Sequence, residues 1–331
     1  MLAAFYSKTG PAREVFSIAE VNMPHPGHGE VRVRVHTSGI NPADVKRRAG
    51  ENGRPLLFPI VIPHSDGAGV IEAVGPGVQR SREGEVVWLW NTQWQRPFGT
   101  AAQFAIVPSP QAVVLPSNVN FELGSALGVP ALTAHRCIAT LGNIRDHHIM
   151  IHGGAGVIGQ FAIQIAKARG AIVCATVSDK ERARFAKSAG ADHVLNYRTD
   201  SFLDEATSLT GASGFDHILD VDMGANGGSY TRLLRKYGSV VIFGSASNMR
   251  PHIDVLPLQL HGVSLHFVSG SEQRPEDRVV AIEEVTNLLQ EGHLSMRIEA
   301  RYGLQDVAAA HERVEAGRLT GKVLLDLSGR H

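Results

Sequence analysis

The sequence is poor in cysteine: its 331 residues include only Cys137 and Cys174, each within an apolar stretch. Two such cysteines exclude a framework of several disulfides and a zinc lobe built on a cluster of thiolates. An excess of charge of either sign is also missing, since 32 basic side chains balance 32 acidic ones. This balance gives no electrostatic reason to expect nucleic acid or a membrane surface as the main partner.

Long apolar runs are absent as well. The chain has no run of about 18 consecutive apolar residues, and its first residues do not follow the pattern of a secretion signal. We therefore expect a cytoplasmic protein without a membrane span. A chain of this length exceeds what one typical core supports, so we also expect two domains.

The first 120 residues are predicted to be mostly β. Val31, Val33 and Val35 alternate with arginines, as in a half-buried strand. Further strands are predicted at 2–6, 68–74, 85–90, 101–107 and 112–115, with Pro- and Gly-bearing turns between them. Many short strands separated in this way predict a barrel-like antiparallel domain.

Strand and helix patterns alternate from residue 148 onward. Strands are predicted at 148–152, 171–177, 193–195, 215–221, 239–243 and 263–268, with a closing strand at 322–327. Helices are predicted at 122–127, 131–141, 180–188, 230–236, 275–290 and 304–316. Alternation at this spacing predicts a parallel, doubly wound sheet, so the fold class is α/β with a mostly-β domain beside it.

A glycine-rich loop lies where this alternation begins, in HIMIHGGAGVIGQFAIQIAKARG (148–170). Gly154, Gly156 and Gly159 form a G-x-G-x-x-G between a predicted strand and a predicted helix. Such glycines allow a tight turn, a close approach to a pyrophosphate and close packing of helix on strand. The helix N-terminus also offers unpaired N–H groups to an anion. In this context the motif predicts a dinucleotide site rather than a plain glycine-rich hairpin.

Six stretches together show a family resemblance. They are SGINPADVKRRAG (38–50), PHSDGAGVIEAVGPGV (63–78), GVPALTAHRCI (128–138), the glycine loop, GADHVLNYR (190–198) and GKVLLDL (321–327). With them the chain resembles the medium-chain dehydrogenase/reductase superfamily over essentially its whole length. The resemblance is to the zinc-free quinone oxidoreductase branch, which includes zeta-crystallin.

This resemblance implies a domain organisation and an assembly. A GroES-like catalytic domain would comprise residues 1–122 and 271–331, and an inserted Rossmann domain, residues 123–270, would bind NADPH. Relatives pair the edge of the Rossmann sheet across a two-fold axis. The apolar segment 265–268 would form that edge here, so we expect a homodimer.

The end of the second Rossmann strand decides between NADPH and NAD. We place this end at Val177, which cannot supply the acidic side chain that binds the ribose 2′-OH of NAD. Ser178 and Arg182 follow, and a hydroxyl and a guanidinium can hold a 2′-phosphate. Two alternatives stay open: Ser178 and Glu181 can form a helix capping box, and Asp179 stands where an NAD contact is expected.

The resemblance also implies the site residues. The cofactor contacts would be Asn41, Thr133, Gly154, Ala155, Gly156, Val157, Ile158, Gly159, Ser178, Arg182, Tyr197, Phe243, Gly244, Ser245, Phe267, Val268 and Lys322. The catalytic residues would be Asn41, Asp44, Lys46 and Thr133, and Trp94 is a candidate wall of the substrate pocket. Asn41 followed by Pro42 is also a plain helix start. Lys46 stands where many relatives have a tyrosine, so the family's preference for quinones does not carry over directly.

Zinc ligands are missing at the positions where relatives have them. The zinc alcohol dehydrogenases of the superfamily supply a Cys, then a His-Glu pair, then a Cys; here Ser38 and Ser65-Asp66 stand at the matching positions. His64 is one residue out of register, and we expect it to be a solvated turn histidine. Because a catalytic zinc needs three protein ligands, we predict no metal.

The absence of a Lewis acid bears on the substrate. Reduction of a quinone or an enone gives a delocalised oxyanion that hydrogen-bond donors can stabilise without a metal. We therefore predict NADPH-dependent, zinc-independent reduction of quinones or other α,β-unsaturated carbonyls by direct hydride transfer. Two alternatives are an enoyl-thioester reductase of the same fold and an NADPH-binding structural or RNA-binding protein with little turnover.

Overall fold

The computed structural model describes residues 1–53, 55–211 and 213–329. Its strands are β1 Leu2–Phe5, β2 Ser17–Glu20, β3 Glu30–Ile40, β4 Asp66–Val74, β5 Val86–Leu89, β6 Phe104–Pro108, β7 Ala112–Val114, β8 His148–Ile151, β9 Ile172–Val177, β10 His193–Asn196, β11 Phe215–Asp220, β12 Leu234–Ile242, β13 Ser264–Phe267, β14 Ile298–Gly303 and β15 Lys322–Asp326. The predicted strands are present, most of them with ends within three residues of those expected, whereas β12 begins five residues before the predicted 239.

The helices are α1 Ala12–Val15, α2 Pro42–Ala49, α3 Phe121–Gly124, α4 Leu132–Ala139, α5 Val157–Ala168, α6 Lys180–Ser188, α7 Phe202–Leu209, α8 Met223–Asn226, α9 Tyr230–Leu233, α10 Val255–His261, α11 Pro275–Gln290 and α12 Val307–Glu315. A π-helical turn, Leu127–Ala131, precedes α4. Within the described ranges, no helix combines the length and the apolar character needed to cross a membrane.

The chain forms two compact units, residues 1–129 with 296–331, and residues 130–295. The boundaries predicted at 122/123 and 270/271 differ from these mainly in the segment 271–295. That segment carries α11, which is tied to α4 by an ion pair from Arg136 to Asp277 (3.0 Å) and by a hydrogen bond between His135 and Glu284 (2.7 Å). These contacts explain why the helix belongs to the compact unit that contains α4.

The first unit contains a seven-stranded sheet in the order β14-β15-β3-β4-β5-β7, with β6 also paired to β3. All its pairs are antiparallel except β14 with β15. Val31, Val33 and Val35 of β3 are buried in its core, as their alternation predicts. Two registers place the polar site: Val323 of β15 lies opposite Ile40, and Asp66 of β4 lies opposite Gly39.

The second unit is built on a six-stranded parallel sheet in the order β10-β9-β8-β11-β12-β13. The chain moves outward from β8 through β9 to β10, then returns to the other side of β8 with β11. In such a sheet, ligands bind at the carboxyl ends of the strands where the order reverses. The predicted fold class is confirmed, and β8 with its glycine loop stands at the reversal.

The helix predicted at 230–236 is wrong in its last three residues. Helix α9 ends at Leu233, and Leu234 begins β12 by pairing with Phe215 of β11. A register shift follows between Phe215 and His217, and Tyr237 takes a left-handed backbone conformation (φ 63°). Pairing with a distant strand has therefore overridden the local helical pattern.

Candidate active site

The glycine loop has the structural context that its motif requires. It follows β8 directly, and α5 begins at Val157 with Gly156 as its N-cap. A Cβ on Gly154 would lie 2.6 Å from the Cβ of Ala175, and one on Gly159 would lie 2.3 Å from the carbonyl oxygen of Gly153. The tight turn itself is made by Gly153 (φ 71°), which lies outside the motif. The loop is therefore a close-packed cradle that excludes side chains at both motif positions.

An open cavity of about 420 Å³ collects five of the predicted cofactor residues. They lie just after β12 and at the end of β13, and they are Phe243, Gly244, Ser245, Phe267 and Val268. The N–H of Val268 donates to the carbonyl oxygen of Ile242 (2.9 Å), which holds the two strand ends together. The Phe267 side chain is 72% exposed, so its apolar face is available for a ligand.

Residues at the end of β9 form a second group. The strand ends at Val177 as predicted, and the main-chain N–H of Tyr197 donates to the Val177 carbonyl oxygen (3.1 Å). The exposed Tyr197 ring thus lies near the turn that carries Ser178 and leads into the first turn of α6, where Arg182 stands. The structure therefore brings Tyr197, a predicted NADPH contact, to the same edge of the sheet as Ser178 and Arg182, the two predicted 2′-phosphate residues.

Asp179, not Ser178, is the N-cap of α6. One carboxylate oxygen of Asp179 accepts the main-chain N–H of Arg182 (2.9 Å), and the other accepts the Ser178 hydroxyl (2.8 Å). The capping box from Ser178 to Glu181 is therefore wrong, because the neighbouring carboxylate takes the cap position. The hydrogen bond from Arg182 and then that from Ser178 lower the pKa of Asp179. Its carboxylate is thus already engaged, with the Arg182 Nε also 3.5 Å away.

Asn41 begins α2, with Pro42 at the first helical position, so the helix-start interpretation is confirmed. Asp44, one turn further, accepts the main-chain N–H of Asn41 with its carboxylate (2.8 Å). The Asn41 side chain is instead engaged by two other groups: its Nδ2 donates to Asp66 (2.7 Å), and its Oδ1 accepts from Lys322 (2.7 Å). Asn41 therefore has both a structural role and a place in a buried polar cluster.

Asp44 is buried, and burial raises its pKa to about 6, with Arg47 opposing the shift. A carboxyl with a folded pKa above its ordinary value of 3.8 holds its proton more tightly when folded, so it costs stability as the pH rises through that window. The free energy of unfolding of the Asp44→Asn variant, taken relative to that of the unmutated protein, is expected to rise by about 2 kcal/mol from pH 4 to pH 7. Denaturant unfolding at the two pH values measures this; an equal difference at both would contradict it.

Lys46 and Trp94 lie at the surface of the first unit. The Nζ of Lys46 is 3.5 Å from Glu51, and both side chains are about half exposed. Trp94 is half-buried, with the Arg47 guanidinium 5.9 Å from its ring centroid. The catalytic role of Lys46 and the place of Trp94 in the substrate pocket stay predictions. So does the catalytic role of Thr133, which is 3% exposed at the start of α4 in the second unit.

The residues at the positions of the zinc ligands do not fit a metal ion. The Ser38 hydroxyl contacts His64 Nδ1 (2.8 Å) and Thr100 Oγ1 (2.7 Å). The Asp66 carboxylate accepts from Asn41, from Lys322 and from the main-chain N–H of Val129. Across the described part of the chain, no three His, Cys, Asp or Glu side chains are grouped to hold a metal. The atoms that would face a cation are thus bonded to protein donors.

His64 is fully buried, which contradicts the expected solvated turn histidine. Its Nε2 lies 2.9 Å from the Nε2 of His311, which is equally buried on α12. Burial lowers the pKa of both rings, that of His311 to about 3. Sequence reasoning missed His311 and Thr100 altogether, because no local spacing links them to Ser38.

Two family models match the chain. The model of the alcohol dehydrogenase GroES-like domain matches residues 27–117, and that of the zinc-binding dehydrogenases matches residues 157–287. Among curated proteins, the chain is similar to the quinone oxidoreductase of Sus scrofa, with 30% identity over 318 residues. The match covers 93% of this chain and 92% of that protein.

Two solved structures share the whole fold. One is the Escherichia coli quinone oxidoreductase complexed with NADPH, with a TM-score of 0.86, 26% identity and coverage of 98% of this chain and 100% of that chain. The other is an NAD-dependent alcohol dehydrogenase, with a TM-score of 0.90, 26% identity and coverage of 99% and 100%. The first of these proteins is complexed with NADPH and the second is NAD-dependent, so similarity alone does not choose between the two cofactors.

Proposed function

We propose a function on the basis of the family: this chain belongs to the zinc-free quinone oxidoreductase branch of the medium-chain dehydrogenase/reductase superfamily. The proposed activity is the reduction of quinones or other α,β-unsaturated carbonyls with NADPH. The observation that carries the cofactor proposal is the group Ser178, Arg182 and Tyr197 at the end of β9, where Val177 leaves no acidic side chain on the strand. Asp179, the rival NAD contact, is the N-cap of α6.

The second unit supplies the binding groups. The cradle of Gly154, Gly156 and Gly159 lets the backbone N–H groups at the start of α5 meet a pyrophosphate. The cavity that contains Phe243 and Phe267 offers an apolar lining for a flat ring. These residues fit a dinucleotide, and bound NADPH would supply the hydride.

The first unit supplies the proposed chemistry. Asn41 keeps one N–H of its amide beyond the one given to Asp66, and such a donor can stabilise an oxyanion formed on the acceptor. Asp44 stands beside it as the buried carboxyl, and Thr133 of the second unit is the further proposed donor. Because protein donors can serve a delocalised oxyanion, this chemistry needs no metal at Ser38 and Asp66.

A substrate panel tests this proposal. The protein is incubated with NADPH and, in turn, with a naphthoquinone, a simple enone, an enoyl thioester and a saturated ketone, while NADPH absorbance is followed. We expect turnover with the quinone or the enone and none with the saturated ketone. Turnover confined to the enoyl thioester would favour that alternative, and NADPH binding without any turnover would favour a structural or RNA-binding role.

A homodimer is proposed at the free edge of the second sheet. Within residues 1–53, 55–211 and 213–329, strand β13 pairs with β12 alone, and the neighbouring α10 exposes Val255, Leu256 and Leu260. An unpaired strand edge beside exposed apolar side chains is an association surface. Light scattering at micromolar concentration should give twice the 35.6 kDa of one chain.

Introducing charged side chains at this edge should prevent dimerisation. We expect the variant Leu256→Lys/Leu260→Lys to be a monomer, because two ammonium groups would have to be buried on association. Leu57→Lys is the matched control, since Leu57 is also an exposed leucine but lies in the other unit. A monomer mass for the unmutated protein, or a dimer mass for the double variant, would refute this interface. The cytoplasmic location stays a prediction.

A further inference from the structure

Lys322 and Asp66 form an ion pair deep inside the first unit. The lysine is 1% exposed and the aspartate 0%, and Nζ lies 2.9 Å from Oδ2. A buried pair costs much desolvation unless additional hydrogen bonds satisfy both partners. Here they do: Val129 donates to the other oxygen of Asp66 (2.7 Å), and Asn41 bonds to both charged groups.

Two glycines keep the space for this pair. A Cβ on Gly39 would lie 2.7 Å from the Cε of Lys322 and 2.0 Å from the carbonyl oxygen of Ser125. A Cβ on Gly128 would lie 2.3 Å from the Asp66 carboxylate. Any side chain at either position would therefore push a charged partner out of place.

A chain of hydrogen bonds also holds the main chain at Asp66, and its direction follows from one carbonyl. Thr100 contacts the Asp66 carbonyl oxygen (2.6 Å), and because a carbonyl can only accept, the Thr100 hydroxyl donates. Ser38 must then donate to Thr100, and it accepts from the Nδ1–H of His64.

The hydrogen bonds of His64 also fix the proton position on the second imidazole, that of His311. The Nε2 of His64 is left without a proton, so it accepts from the Nε2–H of His311. Both rings are neutral in this arrangement, in line with the lowered pKa of each. Asp66 is thus fixed through its side chain by Lys322, Asn41 and Val129, and through its main chain by Thr100.

The contacts with Lys322 and Asp66 fix the orientation of the Asn41 side chain. Its Oδ1 accepts from a cation and one Nδ2–H donates to a carboxylate, so the amide can point in only one direction. A cation on the oxygen of an amide also polarises the group, which strengthens its remaining N–H as a donor. The contacts of Lys322 are therefore directed at Asn41 rather than at the protein surface.

We propose that Lys322 and Asp66 are positioning residues that fix and polarise the Asn41 amide for its contact with cofactor or substrate. This rests on the proposed function, which places Asn41 at the reacting groups. It gives Lys322 a different role from the direct NADPH contact that the resemblance implies. The lysine acts through Asn41, and the aspartate keeps the lysine in place.

The experiment is a mutant cycle. Lys322→Met alone leaves Asp66 buried and unpaired, which can unfold the protein, so the test variant is Lys322→Met/Asp66→Asn, with both charges removed. We expect it to stay folded by thermal unfolding without cofactor, and its kcat to fall on the order of 10- to 100-fold. In an Asn41→Ala background the same two changes should lower kcat by less than about twofold. Equal losses in the two backgrounds overturn the proposal.

The orientation of the Asn41 amide in a crystal structure tests the positioning role of Lys322 and Asp66 independently of turnover. In a crystal structure of Lys322→Met/Asp66→Asn, the Asn41 amide should be turned or occupy two positions. An amide in its original orientation overturns the positioning role, whatever the activity. An unmutated protein that turns over no acceptor would instead count against the proposed function alone. Arg184→Ala, a change of an exposed residue in the other unit, is the control that should leave both kcat and the amide unchanged.

Discussion

Replacing Arg182 with alanine is expected to raise the KM for NADPH on the order of 10- to 100-fold and to change the KM for NADH by less than about threefold. A charge-assisted hydrogen bond of this kind contributes roughly 1.5–3 kcal/mol, and about 1.4 kcal/mol is tenfold. NADH has no 2′-phosphate, so it has no such contact to lose. Steady-state kinetics with both cofactors measure the effect.

The control for this prediction lies on the same helix. Arg184 is an exposed residue of α6, so Arg184→Ala removes an equal charge from the same element and should alter neither KM by more than about twofold. The rival assignment gives the opposite pattern: Asp179→Ala would impair NADH, and Arg182→Ala would leave both cofactors unaffected. A preference of the unmutated protein for NADH would show that Ser178 and Arg182 do not hold a phosphate.

Adding a single methyl group at Gly159 is expected to weaken NADPH binding at least about 100-fold. The new Cβ would lie 2.3 Å from the Gly153 carbonyl oxygen and 2.9 Å from the Gly154 Cα, which are backbone atoms. The loop must therefore shift, and losing two phosphate hydrogen bonds at roughly 1.5–3 kcal/mol each gives this factor or more. Fluorescence titration of Gly159→Ala with NADPH measures the Kd.

Gly228→Ala is the matched control in the same unit. Beyond the adjoining backbone, no described heavy atom lies within 4 Å of a Cβ at Gly228, so the Kd should stay within about twofold of the unmutated protein. Circular dichroism of Gly159→Ala checks that the sheet is retained. An unchanged Kd for a folded Gly159→Ala would mean that the loop does not hold the cofactor.

The parts of the fold that could be predicted are those encoded by local patterns. Helices α6 and α11 are found at the predicted residues, and β9 ends at the predicted Val177. In each case, periodicity and end signals lie within one short window. The beginning of β12 is different, because the pairing of Leu234 with Phe215 joins residues that no single window contains.

The polar cluster of the first unit likewise depends on contacts between residues that are distant in sequence, so local patterns could not predict it. Asn41 was identified from the resemblance, but its partners Asp66 and Lys322 come from other strands and meet it only through the registers of β4 and β15 on β3. The expectation that His64 is a solvated turn histidine is wrong, because His311 and Ser38, both distant in sequence, contact its two ring nitrogens. The predicted N-cap of α6 is wrong by one residue, because Ser178 and Asp179 are adjacent and both residue types can cap a helix.

The most direct test of the central claim is the fate of the hydride in the presence of a chelator. The protein is treated exhaustively with EDTA and then given an enone and NADPH deuterated at the transferable position of its nicotinamide. We predict unchanged turnover and deuterium at the β-carbon of the product, because protein donors rather than a metal stabilise the oxyanion. Loss of turnover that added zinc restores, or a product without deuterium, would contradict zinc-independent, direct hydride transfer.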